Sequence, residues 1–177
     1  KGHRNRKKPC GYKRVIRNLQ IEYEVIITPW LEADDAMGIF ATQFPGNIIV
    51  SPDKDMRQIP GKLYNLEDTT TITPEEGAQW HLIQTLAGDQ TDGYSGVPGI
   101  GVKRAETLFN KEGYSWATAV GAFQDKGLTE EDALLNARLA RILTIDDYDT
   151  KSKTPILWTP EPTYEVDSGT GLQDESH

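Results

Sequence analysis

The feature that most constrains this chain is residues 47–50, Asn-Ile-Ile-Val, followed at once by Ser51-Pro52-Asp53-Lys54-Asp55. Three consecutive β-branched apolar residues, without polar alternation, fit a strand buried on both faces. The flanking segments supply the helices such a strand needs. A helical pattern runs from Ala33 to Phe44. Residues 21–29 (IEYEVIITP) are β-branched and read as another strand, and 62–66 (KLYNL) alternate and read as a third. Residues 69–73 are β-prone but polar. Thr73-Pro74-Glu75-Glu76 is a helix start, with Thr as N-cap, Pro at the first helical position and acids in the first turn. That helix runs to about Ala87 through Trp80, Leu82, Ile83 and Leu86. Strands alternating with helices predict an α/β fold with a parallel sheet.

From Gly88 the composition changes. Residues 88–101 hold five glycines and one proline and form a loop. A short helix is expected over 103–109. A second opens at Thr129, with Glu130, Glu131 and Asp132 in its first turn, and runs to about Leu143. A strand-like stretch follows at 156–158, then a Pro-, Gly-, Ser- and acid-rich tail expected to be disordered. No internal repeat is present.

The 177 residues suffice for one domain or a domain plus a small module. No apolar run approaches the ~18 residues that span a membrane, and no apolar stretch follows the basic start as a signal peptide requires. A single cysteine, Cys10, excludes an internal disulfide and is weakly consistent with a cytoplasmic setting. The first residue is Lys1 rather than Met, so the chain is expected to be a piece of something longer or a processed product. The net charge of −8 argues against a nucleic-acid partner, but its distribution does not. Residues 1–17 carry eight Lys or Arg and no acid, whereas 161–177 carry five acids and no Lys or Arg.

Three acidic clusters carry the chemistry. They are Glu32-Ala33-Asp34-Asp35 at the head of a helix, Asp53-Lys54-Asp55 after the 47–50 strand, and Gly88-Asp89-Gln90-Thr91-Asp92 at the end of the Pro74 helix. Each has an ordinary structural reading as helix cap or turn. In an α/β sheet, however, ligands gather beyond the carboxyl ends of strands. Carboxylates brought together resist joint ionisation, and a divalent cation relieves the repulsion. Hard oxygen ligands suit Mg²⁺ or Mn²⁺. Two ions about 3.5–4 Å apart would clamp the attacking and leaving oxygens of a phosphodiester. Without these seven acids the chain holds 20 acidic against 19 basic residues, so most of its net negative charge lies in the expected metal site.

Residues 97–105 (VPGIGVKRA) form a second motif. A Gly99-Ile100-Gly101 hairpin before a helix exposes backbone N–H groups at the positive end of the helix dipole, a geometry that holds phosphate. Lys103 and Arg104 add charge. Trp80, Trp116, Trp158 and His81 read as packing residues.

The order E-A-D-D, then S-x-D-x-D, then G-D-x-x-D followed by G-V-x-G-I-G-x-K resembles the 5′ nuclease family, which includes flap endonucleases, the 5′ nuclease domain of bacterial DNA polymerase I and phage 5′→3′ exonucleases. Residues 78–85, 91–96, 129–132 and 140–143 look like the exonuclease of short-tailed coliphages in particular. The resemblance implies a PIN-like parallel sheet with flanking helices plus a helix–three-turn–helix DNA-binding module. It implies one metal at Glu32 and Asp34 with Asp35 beside them, and a second served by Asp53, Asp55, Asp89 and Asp92. Gly99, Ile100, Gly101, Lys103 and Arg104 would bind duplex DNA and hold a monovalent cation such as K⁺. Lys1 and Arg4 would belong to the base of a helical arch that grips the 5′ end and scissile phosphate. The activity implied is metal-dependent hydrolysis of DNA phosphodiesters, exonucleolytic or at 5′ flaps, with an RNA–DNA hybrid as a further substrate. The setting implied is a bacterial cytoplasm, that of the host for a phage protein.

Family members carry an upstream strand ending in a metal-binding Asp, which this sequence does not show. The expected division is therefore 1–20 as arch remnant, 21–87 as partial nuclease core, 88–150 as DNA-binding module and 151–177 as strand-like stretch and tail. A separate chain could supply the absent strands, and weak or no cleavage is expected from this chain alone. Two other readings stay open: a DNA-binding remnant without catalysis, and a phosphatase of the haloacid dehalogenase type. Met56 after the second Asp, and the Gly-Ile-Gly hairpin, speak against the phosphatase. A PIN-type ribonuclease shares the acidic sheet but not the hairpin.

Overall fold

The computed structural model describes residues 8–160. Lys1 and Arg4, and the tail expected to be disordered, lie outside the described residues. The element order is α1 (Tyr12–Glu22), α2 (Ala33–Gln43), β1 (Ile48–Val50), a 3₁₀ turn (Lys54–Gln58), β2 (Gly61–Tyr64), β3 (Thr69–Ile72), α3 (Pro74–Ala87), α4 (Val102–Glu112), α5 (Trp116–Gln124) and α6 (Glu130–Ala140). A second 3₁₀ turn (Ile145–Asp147) and the short pair β4 (Tyr148–Asp149) and β5 (Thr154–Pro155) follow.

The sheet is mixed rather than parallel throughout. β1 pairs with β2 in parallel, Ile49 opposite Leu63, while β2 and β3 run antiparallel with Leu63 opposite Thr70. The reason is local: β2 and β3 are joined by a tight turn at Asn65, whose side chain accepts from the backbone of Glu67 and Asp68, and so short a link permits only antiparallel pairing. Residues 21–29 are not a strand. Ile21 and Glu22 end α1, and 24–28 belong to no helix or strand. Their β-branched residues Val25, Ile26 and Ile27 are exposed. Propensity for β structure measures fit to a half-buried pleated surface, and among the described residues no strand pairs with this segment. The expected strand at 156–158 is likewise displaced: pairing falls at Thr154–Pro155.

Two apolar cores divide the molecule. One lies under the sheet, built from Ile49, Met56, Ile59, Leu63, Ile72 and Ile142. The other joins α3 to α4, α5 and α6 around Trp80, Leu86, Phe109 and Phe123. The helix at Pro74 forms as its sequence predicts, with a reciprocal capping box between Thr73 and Glu76. The helix opening at Thr129 stops at Ala140, three residues before the expected end. The backbone turns extended at Arg141, where the next residues bond other parts of the chain.

Those bonds centre on Gln58, whose fully buried side chain closes the first 3₁₀ turn. Its Nε2 donates to Gln84 Oε1 and to the Ala140 carbonyl, both at 2.6 Å, and its Oε1 accepts from Ile142 N at 3.1 Å. Two close approaches accompany it. A Cβ on Gly77 would clash with the Gln58 carbonyl, and one on Gly38 with the Leu143 carbonyl. Replacing Gln58 by Leu keeps the volume but leaves the Ala140 carbonyl, the Ile142 N–H and Gln84 without buried partners. We expect a loss of about 2–4 kcal/mol in unfolding free energy, read by chemical denaturation. An unchanged midpoint would contradict the assignment.

Candidate metal centre

Each acidic motif reaches the same region by a different local route. Glu32 and Asp35 form a capping box at the start of α2. Asp35 also accepts from Leu143 N through Oδ1 at 3.2 Å, and Thr42 Oγ1, about two turns on, accepts from Ile145 N at 2.9 Å. The segment after α6 is thereby stitched along α2. Asp53 is N-cap of the first 3₁₀ turn, its Oδ1 accepting from Asp55 N at 3.0 Å. The turn separates the Asp53 and Asp55 side chains. Asp55 faces a groove of about 350 Å³ that Glu32, Asp34, Asp35 and Asp92 also line, whereas Asp53 lines a second cavity with Arg57 and Trp80.

The third motif is held by a compact turn at the end of α3. Asp89 and Tyr94 form an isolated antiparallel bridge, and Asp89 Oδ1 accepts from Thr91 N at 2.7 Å. Gly88 (φ 67°) and Gly96 (φ 60°) lie so close that a Cβ on either would meet the other's backbone, which requires glycine for both the conformation and the space. The turn brings Asp92 beside Asp55.

Asp55, Asp89 and Asp92 each offer a carboxylate oxygen, and these oxygens lie within 4.8 Å of one another. Asp55 Oδ1 is buried and accepts no hydrogen bond; Lys54 Nζ stands 3.8 Å away, beyond hydrogen-bond reach. Burial, followed by the charge of Asp53 and lesser contributions from Asp89 and Asp92, pushes the Asp55 carboxyl up to about 6. The Tyr94 hydroxyl beside them is also driven upward, by burial and then by the three aspartates. An orphaned buried oxygen among hard, mutually repelling donors fits a divalent cation.

Of the residues singled out in the sequence, Asp55, Asp89 and Asp92 are brought together, and Glu32, Asp34 and Asp35 face the groove that Asp55 and Asp92 share. Asp53 acts as a cap here. Gly99 to Gly101 lie apart, in the loop entering α4, where Gly99 has φ 79°, and Lys103 and Arg104 stand in the first turn of that helix. Lys103 is exposed, and Arg104 folds back so that its Nη1 donates to the Gly99 carbonyl at 2.6 Å. Sequence reasoning passed over Tyr94, Arg138 and Arg141, all of which line the acidic groove. Their signal was slight: two arginines three residues apart at a helix end read as ordinary surface charge.

No family model matches the chain. It is similar to the exodeoxyribonuclease of Enterobacteria phage T3, 32% identical over 201 residues that cover 87% of this chain and 64% of that protein. It is equally similar to the exonuclease of Escherichia phage T7, 32% identical over 196 residues covering 87% and 65%. A 5′-3′ exonuclease of Mycobacterium tuberculosis is 32% identical over 136 residues, covering 63% of this chain and 42% of the relative. These matches support the assignment of the chain to the 5′ nuclease family. The chain spans just under two thirds of the length of the two phage proteins.

The raised Asp55 pKa has a definite sign. A folded-state value of about 6 against the ordinary 3.8 favours the protonated form. The associated stability is full below 3.8 and is lost as pH rises through 6. Asp55→Asn should therefore raise the melting temperature of the metal-free protein at pH 7–8 and abolish any rise produced by Mn²⁺. In the wild type that Mn²⁺-induced rise should fade as pH drops below about 6. Thermal melts with and without Mn²⁺ read all three outcomes; a Mn²⁺ shift retained in Asp55→Asn would contradict the site.

Proposed function

We propose that this chain carries the acidic groove of a 5′→3′ exodeoxyribonuclease, with activity on 5′ flaps included in the same chemistry. The observation that carries the reading is the convergence of Asp55, Asp89 and Asp92 in a chain similar to proteins named as exonucleases. That similarity also favours it over the phosphatase reading. Asp55, Asp89 and Asp92 would hold one Mg²⁺ or Mn²⁺, and Glu32 and Asp34 would serve a second in the groove, with Asp35 fixing the wall through Leu143 N. Such ions, when bound, neutralise the carboxylates and polarise the phosphodiester oxygens.

The protein's own residues then have separable tasks. The half-buried Asp55 gains most from a cation, because among the described residues its Oδ1 accepts no hydrogen bond and has the Lys54 ammonium only at 3.8 Å. Asp53 orients Asp55 by fixing the turn between them. The Gly99–Gly101 loop and Lys103 are proposed to grip the backbone of duplex DNA away from the groove, in a helix–three-turn–helix arrangement with α4 and a monovalent cation such as K⁺ at the loop. The first turn of α4 has no side-chain cap, which suits this role.

The test is release of nucleotide from a 5′-labelled duplex. We expect slow but Mg²⁺- or Mn²⁺-dependent release that EDTA abolishes and that falls at least about 100-fold in Asp55→Ala and Asp92→Ala. Lys103→Ala should weaken duplex binding and leave the rate at saturation nearly unchanged. Duplex binding with no release in any divalent metal would point instead to a DNA-binding protein without catalysis.

A further inference from the structure

Among the described residues two arginines line the acidic groove, and one is already consumed. Arg141 gives Nε and Nη2 to Asp147 Oδ2, at 3.0 and 2.7 Å, in a largely buried pair. Arg138 is different. Its Nε donates to the Trp158 carbonyl at 3.0 Å, and among the described residues no carboxylate lies within ion-pair distance of it, although the groove it lines is acidic. We propose that Arg138 is a phosphate-binding residue of the groove, its terminal nitrogens receiving a non-bridging oxygen of a DNA phosphodiester. This rests on the nuclease reading and extends it to a residue on α6.

Three observations support the assignment. The guanidinium is aimed rather than free: the bond from Nε fixes the plane of the fork, and among the described residues the Nη donors are left over. Its anchor is itself rigid. The Trp158 ring is held edge-on against His81 at 4.9 Å and against Trp116 at 5.4 Å, and His81 is fixed by the Ala137 carbonyl at 2.8 Å. The ordering entropy of a long side chain is thus largely spent before a ligand arrives. Third, an anion approaching a groove lined by Asp34, Asp35, Asp55 and Asp92 meets repulsion. A cation in the wall of the same groove offsets it where the charge must sit, and a planar fork is the donor best matched to a phosphate.

The experiment measures binding of a fluorescein-labelled DNA duplex with a 5′ single-stranded flap, in Ca²⁺, across a salt series. It compares wild type, Arg138→Gln and Arg138→Lys, with thermal melts of each. We expect Arg138→Gln to bind about tenfold more weakly at low salt and to reduce the slope of log affinity against log salt by about one. Arg138→Lys should retain the slope and lose less affinity. If wild type binds the duplex and both variants match its affinity and slope, the proposal is overturned while the nuclease reading stands. If the variants melt lower but keep the wild-type slope, Arg138 is only an anchor for Trp158 and the proposal is again overturned. Failure of the wild type itself to bind duplex would sink the nuclease reading and this inference with it.

Discussion

A single buried amide holds the arrangement together. Gln58 connects the turn after β1, the last turn of α3 and the backbone at the end of α6, three elements separated in sequence. Each of its bonds is made away from water, where an unmet partner costs far more than a met one returns. The consequence is positional. Asp55 stands three residues before Gln58 in the same short turn, so fixing the amide fixes the carboxylate. The same strand of backbone that Gln58 grips at Ile142 is gripped at Leu143 by Asp35, which brings the first acidic motif to the second. α3, held through Gln84, delivers the third motif at its C-terminal end.

This explains how a chain can keep carboxylates together against their repulsion. The cost of burial and crowding appears at Asp55, whose carboxyl is pushed upward and whose Oδ1 accepts no hydrogen bond among the described residues. Glycines at 38, 77, 88 and 96 permit the close backbone approaches that leave no room for the motifs to drift apart. Such supports suit the proposed role of the site in holding a cation.

Much of this was legible in the sequence, and the limits have physical causes. The β1 strand and α3 announced themselves because a β-branched run and a Thr-Pro-Glu-Glu start are local signals, sufficient without tertiary context; the expected burial of β1 on both faces was not met, since Ile49 is buried while Ile48 and Val50 are exposed. The three acidic motifs were visible as residue types at element ends. What failed was whatever depends on a distant partner. Residues 24–28 have strand composition, but a strand is defined by its neighbour. α5 escaped notice because its β-branched and aromatic residues blur the helical period, although Ser115 caps it through Thr118 N. The early end of α6 is dictated by Gln58, over 80 residues upstream, and nothing in a lone glutamine advertises a buried hub. Asp53 and Asp55 look equivalent on paper; only the 3₁₀ turn between them assigns one to capping and the other to the cluster.

The account is tested most directly by anomalous scattering at the manganese edge from crystals grown in Mn²⁺. It predicts an anomalous peak coordinated by Asp55, Asp89 and Asp92, with Asp55 Oδ1 among the ligands. Saturating Mn²⁺ with no peak there, or manganese bound only elsewhere on the protein, would contradict it.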